Sequence, residues 1–395
     1  MDVVEIKTIE NKVKISLAGA TMHYKFKCDM VDTELKREPR SEIGKLRVSV
    51  LLMEVSALLC GGTSHSIIVD ENQTVFCSGW NGRGQFGTNS TSTEFRSLTL
   101  TLPFGVQSVV AGQSHSHFLD VEGNVWSCGW NSFGQLGFGI DVENQNLKKI
   151  ETLPRIVKIA TKYNHSLALD ESGGVWVFGW NSSSQLGVKS KVNLHTPTKL
   201  ESLPRIQNIA AGREFSIFLD EDGNVWGCGL NSDGQLGTHV DQPSTTEVKV
   251  PVIIPNLPII RQISAGLNHC AFLDNDSVVW LVYKQITSLT TLPPIKFVAS
   301  NSKSYYLDFD GDVWQGSPQQ QPTKIPDLPA IVSIGTGLEF AHFVDIEGCV
   351  WSSGNNSSKQ LNSSEENRNF DRPFKQSDIK MRIGKRTATK SARKL

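Results

Sequence analysis

Residues 115–137 read H-S-H-F-L-D-V-E-G-N-V-W-S-C-G-W-N-S-F-G-Q-L-G, and nearly the same string returns fifty residues later and fifty after that. The copies are H-S-L-A-L-D-E-S-G-G-V-W-V-F-G-W-N-S-S-S-Q-L-G over 165–187 and F-S-I-F-L-D-E-D-G-N-V-W-G-C-G-L-N-S-D-G-Q-L-G over 215–237. Trp126, Trp176 and Trp226 mark them. A period of this length means an array of one supersecondary unit, because a single unit cannot bury its own apolar surface.

Extended outward, the register finds an earlier copy over 65–87, with Phe76 in the tryptophan slot, and weaker copies ending at Trp280, Trp314 and Trp351. An aspartate precedes each aromatic by six residues, at 70, 120, 170, 220, 274, 308 and 345, which makes seven units. Within a unit, the runs 116–120 and 124–129 are short, rich in apolar residues and separated by a V-E-G turn, the pattern of a β-hairpin. Gly129, Gly179 and Gly229, with Gly137, Gly187 and Gly237, suit turns in which a β-carbon would be penalised. A further apolar run, such as 156–160, leads into the next hairpin, and helical periodicity is almost absent. Seven such units predict an all-β, closed ring, a seven-bladed β-propeller of four-stranded antiparallel blades, since radial packing leaves only short, protected edges.

The string G-x-N-x-x-G-Q-L-G, preceded by G-x-V-W and by A-G-x-x-H-S, resembles the repeat of the regulator of chromosome condensation family over roughly 51–375. The resemblance implies the same seven-bladed propeller. The fifth and sixth units depart from it, with 281–285 and 315–321 standing where the G-x-N and G-Q-L-G elements should be, so these blades are expected to be degenerate, thin or irregular.

Hydrophobic residues make up 38% of the 395-residue chain and charged ones 20%, as in a globular β protein, and no apolar window is long enough to span a bilayer. The amino terminus, with Asp2 and Glu5, lacks the basic start and apolar run of a signal peptide. Seven cysteines, Cys28, Cys60, Cys77, Cys128, Cys228, Cys270 and Cys349, form no C-x-x-C pair and read as core packing in a reducing compartment, the cytoplasm or nucleus. The net charge of −1 conceals a basic end: residues 375–395 carry +7 and the rest −8. A basic tail over 376–395, with Lys380, Arg382, Lys385, Arg386, Lys390, Arg393 and Lys394, is either a solvated terminus or a contact for nucleic acid, chromatin, an acidic protein face or an import receptor.

The chain therefore divides into an amino-terminal segment over 1–50, the propeller over 51–375 and the tail. Alternating residues over 1–28 predict a hairpin and a third strand, which could complete the seventh blade; the rival is a return of 379–383. Residues 29–46, charged and containing Pro39, read as a linker or surface excursion.

Most repeated side chains read as structural. His65, His115, His165 and His269 share a position with Phe215, Lys303 and Phe340, so a buried site with the imidazole bonded to backbone is expected, and ligands spread one per blade could not converge on a metal. The aspartates should satisfy turn amides, and Trp126, Trp176, Trp226, Trp280, Trp314 and Trp351 should fill gaps between sheets. Trp80, Trp130 and Trp180, in the G-W-N step of three consecutive units, are candidates for a partner-binding aromatic patch if exposed, or for packing between loops if not.

No nucleophile motif, H-E-x-x-H or phosphate loop is present, and no cofactor or metal is implied. The leading expectation is a monomeric, non-enzymatic scaffold that binds a protein partner. The resemblance supplies an alternative, a guanine nucleotide exchange factor for a Ran-like small GTPase on chromatin, which works by differential binding and needs no catalytic side chain. The loops 138–150 and 188–200 show no long insertion resembling a dedicated wedge. Ultraviolet sensing, also known in the family, lacks its tryptophans at 112–115 and 212–215, and a sugar-binding propeller rests on the G-W-N tryptophans alone.

Overall fold

A computed structural model describes residues 5–9, 12–17, 20–25, 58–88, 96–139, 144–237, 246–363 and 369–381. The chain divides into two compact units, 1–52 and 53–395. In the first, Glu5–Ile9, Lys12–Leu17 and Ala20–Lys25 form an antiparallel sheet in that order.

The second unit consists of seven four-stranded antiparallel sheets, each built from four consecutive strands, over 59–101, 106–149, 156–200, 206–253, 260–288, 295–324 and 331–380. First strands of neighbouring blades touch one another, which places them at the axis and the fourth strands outside. The second strands, such as His115–Asp120 and Phe215–Asp220, are buried at every position. They show no in–out alternation because each sheet is covered on both faces by its neighbours. The core is accordingly divided among the junctions. Leu167 and Val177 of blade three meet Phe218 and Cys228 of blade four, and Val344 and Ile379 of blade seven meet Leu59 and Ile68 of blade one, closing the ring.

The six-residue spacing of aspartate and tryptophan has a direct cause. Asp120 Oδ1 accepts the amides of Glu122 (3.0 Å) and Asn124 (2.8 Å), and its Oδ2 accepts the indole N–H of Trp126 at 2.9 Å. The same clasp joins Asp170 to Trp176, Asp220 to Trp226, Asp274 to Trp280, Asp308 to Trp314 and Asp345 to Trp351. Burial pushes the Asp120 carboxyl up, but these hydrogen bonds outweigh it and hold it below the usual range. The tryptophans are half-buried rather than enclosed.

Through Nε2, the histidines bond to side-chain hydroxyls of the next blade. His165 Nε2 lies 3.1 Å from Ser216 Oγ, whose own hydrogen goes to the Gln185 carbonyl at 2.6 Å. The imidazole must therefore be the donor, as the tautomer protonated on Nε2. The relay recurs from His117 through Ser166 to Gln135, and from His342 through Ser66 to Gln360. His65 reaches Ser116, His115 reaches Thr161 and His269 reaches Ser304. Phe215 and Phe340 are buried, whereas Lys303 is exposed and breaks the pattern.

Blades five and six lack the loop elements as the sequence indicates, and of the two readings of the closing strand the carboxy-terminal return is the one observed. Blades five and six keep four strands. What they lose is the loop, since Tyr283 pairs with Gln285 around Lys284 at φ 58, and Ser317 pairs with Gln320. The seventh blade takes its fourth strand from Asn369–Lys380, which pairs with Cys349–Asn355, so the amino-terminal strands do not supply it. The chain after Cys349–Asn355 returns locally, and Ile379 and Met381, 4% and 3% exposed, fill the closing junction. Lys380 thus belongs to the ring, while Arg382, Lys385, Arg386, Lys390, Arg393 and Lys394 lie outside the described residues. The six described cysteines are free thiols, and burial pushes Cys77 up to about 12.

Removing 382–395 should leave the unfolding midpoint unchanged, whereas a cut before Gln376, which donates to Ser352 Oγ and the Leu361 carbonyl, should lower it sharply. Equal midpoints in denaturant titration would contradict the assignment of the closing strand. A second expectation concerns acid. Burial lowers His65 and His269 to about 4 and His117, His165 and His342 to about 3, from 6.5, so the unfolded chain takes up protons that the ring refuses. Stability is complete above pH 6.5 and falls as pH drops, each imidazole adding a slope of up to about 1.4 kcal/mol per pH unit. Urea midpoints at pH 7, 6 and 5, about one unit apart, should decrease steadily, before the carboxylates titrate.

Candidate functional loop face

The G-W-N-x-x-G-Q-L-G segments connect third to fourth strands, at the same end of each blade as the first-to-second-strand turns. Gly129, at φ 108, starts the segment where a β-carbon would lie 2.5 Å from the Ser114 carbonyl. Asn131 Oδ1 then accepts the Leu136 amide (2.9 Å) and Gln135 Oε1 the Phe133 amide (3.0 Å). The polar letters of the motif therefore brace the loop from within. The position occupied by Arg83, Phe133, Ser183 and Asp233 is held only through its backbone amide, by Gln85, Gln135, Gln185 and Gln235, so its side chain is left to vary.

Trp80, Trp130 and Trp180 each donate their backbone amide across the turn, to Ser64, Ser114 and Asn164 at 2.9 Å, and their rings are half-buried. Trp130 and Trp180 do not stack on each other but are joined by Phe133, edge-on to Trp130 (centroids 5.1 Å) and stacked on Trp180 (5.7 Å, 26°). Tyr163 continues the row at 5.9 Å from Trp180. Guanidinium groups cap both ends, Arg83 lying 5.6 Å over Trp130 and Arg213 5.3 Å over Tyr163. Trp80 instead lies over Gly82, where a β-carbon would approach the indole to 2.6 Å. Trp130 and Trp180 therefore pack laterally through Phe133, and the row presents a half-buried aromatic and cationic surface across four blades.

Sequence reasoning missed Arg83, Phe133, Tyr163 and Arg213. Their signal was the disagreement between copies, since Phe133 aligns with Arg83, Ser183 and Asp233, and Tyr163 and Arg213 align with Gln113. Among the described residues no group of His, Cys, Asp and Glu is placed to hold a metal ion, and no helix is long and apolar enough to cross a membrane.

A seven-bladed propeller with this repeat and these braced loops defines a class of ring-shaped domains. The RCC1-like domain family matches residues 30–389, and the chain belongs to that family. Among solved structures it is similar to the yeast RCC1 protein Prp20 bound to Kap60, with 21% identity and a TM-score of 0.68 over 88% of this chain and 91% of that one. Prp20p from Saccharomyces cerevisiae, characterised for its binding to Gsp1p and histones, gives 22% identity and 0.66 over 82% and 88%. Human WBSCR16 gives 20% and 0.54 over 82% of each chain. At these identities the likeness is one of fold. No curated protein matches the chain in sequence.

Phe133→Ala should uncouple Trp130 from Trp180. We expect a changed near-ultraviolet circular dichroism spectrum and a loss of about 1–3 kcal/mol from two ring contacts plus apolar burial. An unaltered spectrum would mean that the row is not held together in solution.

Proposed function

We propose that this chain is a non-enzymatic scaffold that binds a protein partner through the loop face bearing the aromatic row. The observation that supports this most is the composition of the row: Trp130, Phe133, Trp180 and Tyr163 pre-packed and capped by Arg83 and Arg213. Tryptophan, tyrosine and arginine supply large contact area and directional hydrogen bonds at little entropic cost, which is why they dominate binding hot spots. The guanidinium of Arg83, over Trp130 at the rim of the row, favours a partner with an acidic surface. Kap60, Gsp1p and histones, the partners studied with Prp20, are themselves proteins.

Guanine nucleotide exchange on a Ran-like small GTPase is a more specific form of the same reading, favoured by membership of the RCC1-like family. It would proceed by preferential binding of the nucleotide-free GTPase. The basic residues after Met381 would serve nuclear import or chromatin contact, making the nucleus, the cytoplasm or both the expected location.

The decisive experiment compares three chains: unaltered, Phe133→Ala with Arg213→Ala, and Ile346→Ser. Ile346 is 65% exposed on a second-to-third-strand turn, at the opposite end of the strands. A GTPase panel loaded with fluorescent nucleotide reports exchange, and affinity capture reports binding. We expect the double variant to weaken partner binding at least about tenfold and Ile346→Ser to leave it intact. The reverse pattern would move the site to the other face, and no acceleration of nucleotide release would remove the exchange reading while leaving the scaffold.

A further inference from the structure

First-to-second-strand turns from all seven blades meet at the axis on the same loop face and line a cavity of about 330 Å³. Its lining contains no Asp or Glu and two cations, Lys162 and Arg213. Lys162 stands where blades one, two, four, five and seven carry Gly62, Gly112, Gly212, Gly266 and Gly337. Glycine has a reason to be there: a β-carbon at Gly112 would lie 2.2 Å from the His115 ring, and one at Gly337 would lie 2.0 Å from Phe340. Blade three takes a different path. Its first strand runs on through Lys162, and Tyr163 turns the chain at φ 55, a left-handed conformation that costs a non-glycine residue on the order of 1 kcal/mol.

From that turn the lysine crosses the axis. Its Nζ donates to the Ala265 carbonyl of blade five (2.7 Å) and the Ser300 carbonyl of blade six (2.8 Å), leaving a third N–H. Among the described residues no carboxylate forms an ion pair with it. Arg213, by contrast, already lies 3.4 Å from Glu214 and over Tyr163. Carbonyl dipoles offset only part of the cost of taking an ammonium out of water. Burial accordingly pulls Lys162 down to about 7.

We propose that this axial cavity is a binding site for a single carboxylate group, with Lys162 as its counterion, presented by an acidic side chain of a protein partner. One unpaired cation matches one negative charge, whereas a phosphate dianion would call for a second free cation, and Arg213 is engaged elsewhere. The volume suits one side chain or a small acid. That the carboxylate comes from a protein rests on the partner-binding reading above; the chemistry of the cavity does not.

The test uses three small probes on the full chain, followed by ligand-observed NMR titration: the blocked tripeptide Ac-Gly-Glu-Gly-NH2, its Gln counterpart, and glutarate. The Glu peptide should bind at least about tenfold more tightly than the Gln peptide. Lys162→Met, which keeps the chain length without charge, and Lys162→Gly, which gives blade three the residue of its neighbours, should both remove that difference. Binding of the Glu peptide supports a protein source, and binding of glutarate but not the peptide supports the carboxylate site with a small-acid source. Equal affinity for Glu and Gln peptides, an unchanged preference in Lys162→Met, or no binding of either acid would overturn the proposal. The Glu and Gln comparison on the unaltered chain stands whatever the variants do to folding, and it can fail without the outer aromatic row failing.

Discussion

Everything in this ring depends on how polar groups are satisfied where one blade meets the next. A four-stranded sheet covered on both faces has no solvent to turn to, so every buried hydroxyl and imidazole in its second strand must find a partner on the neighbouring sheet. The relay from His165 through Ser216 to the Gln185 carbonyl does this with one donor per acceptor, and it ties the second strands of blades three and four to the loop of blade three. Because the glutamine belongs to the G-Q-L-G segment, the histidine-serine pair and the loop motif are parts of one joint. Their recurrence together is a consequence of geometry, and blades that lose the loop must join by other means. At the fourth junction the loop remains but the pair changes: Phe215 stands in the histidine position, and the Cys270 thiol donates to the Gln235 carbonyl at 3.3 Å in place of a serine hydroxyl.

The same joint explains why the imidazoles stay neutral. Nδ1 of His65, His115, His165 and His269 has no hydrogen-bond partner. At His65, His115 and His269 the ring edge lies against the glycine three residues before. An unprotonated nitrogen left without a donor is a tolerable loss, while a proton there would bury a charge with nothing to receive it. Glycine at 62, 112 and 266 is thus a packing requirement of the histidine ring.

Ring, blade count and the structural roles of aspartate and glycine were legible because they repeat, and repetition reports on contacts that every blade must make. The seventh blade's closing strand was not legible for a physical reason. Outer strands bury few of their side chains, Leu194–Leu200 enclosing only Leu200, and Asn369–Lys380 carries Asp371, Arg372 and Pro373 with few buried apolar residues among those described. A half-exposed outer strand needs no alternation, so pattern reading finds nothing to hold. Lys303 misled in the opposite sense, occupying a core register while the shortened sixth turn leaves it in solvent. The aromatic row was half visible. Trp130 and Trp180 repeat, but Phe133, which joins them, lies at a loop position where the motif fixes the backbone amide and not the side chain.

Departures from the repeat therefore divide into two kinds. Some only shorten a connection, like the trimmed loops of blades five and six, where tight hairpins, one of them turning at Lys284 with φ 58, keep all four strands. Blade three adds a buried charge to such a turn. Tyr163 holds a left-handed backbone, and Lys162 sets an ammonium among carbonyls where its sister blades have glycine. The ring requires neither, since five other blades turn without them. Both residues lie on the loop face, Tyr163 belongs at once to the aromatic row and to the lining of the axial cavity, and Arg213 shares that double position. Under the proposed binding role, the turn that joins the half-buried aromatic surface to the cationic cavity is pre-organised for a ligand, which would offset its strain.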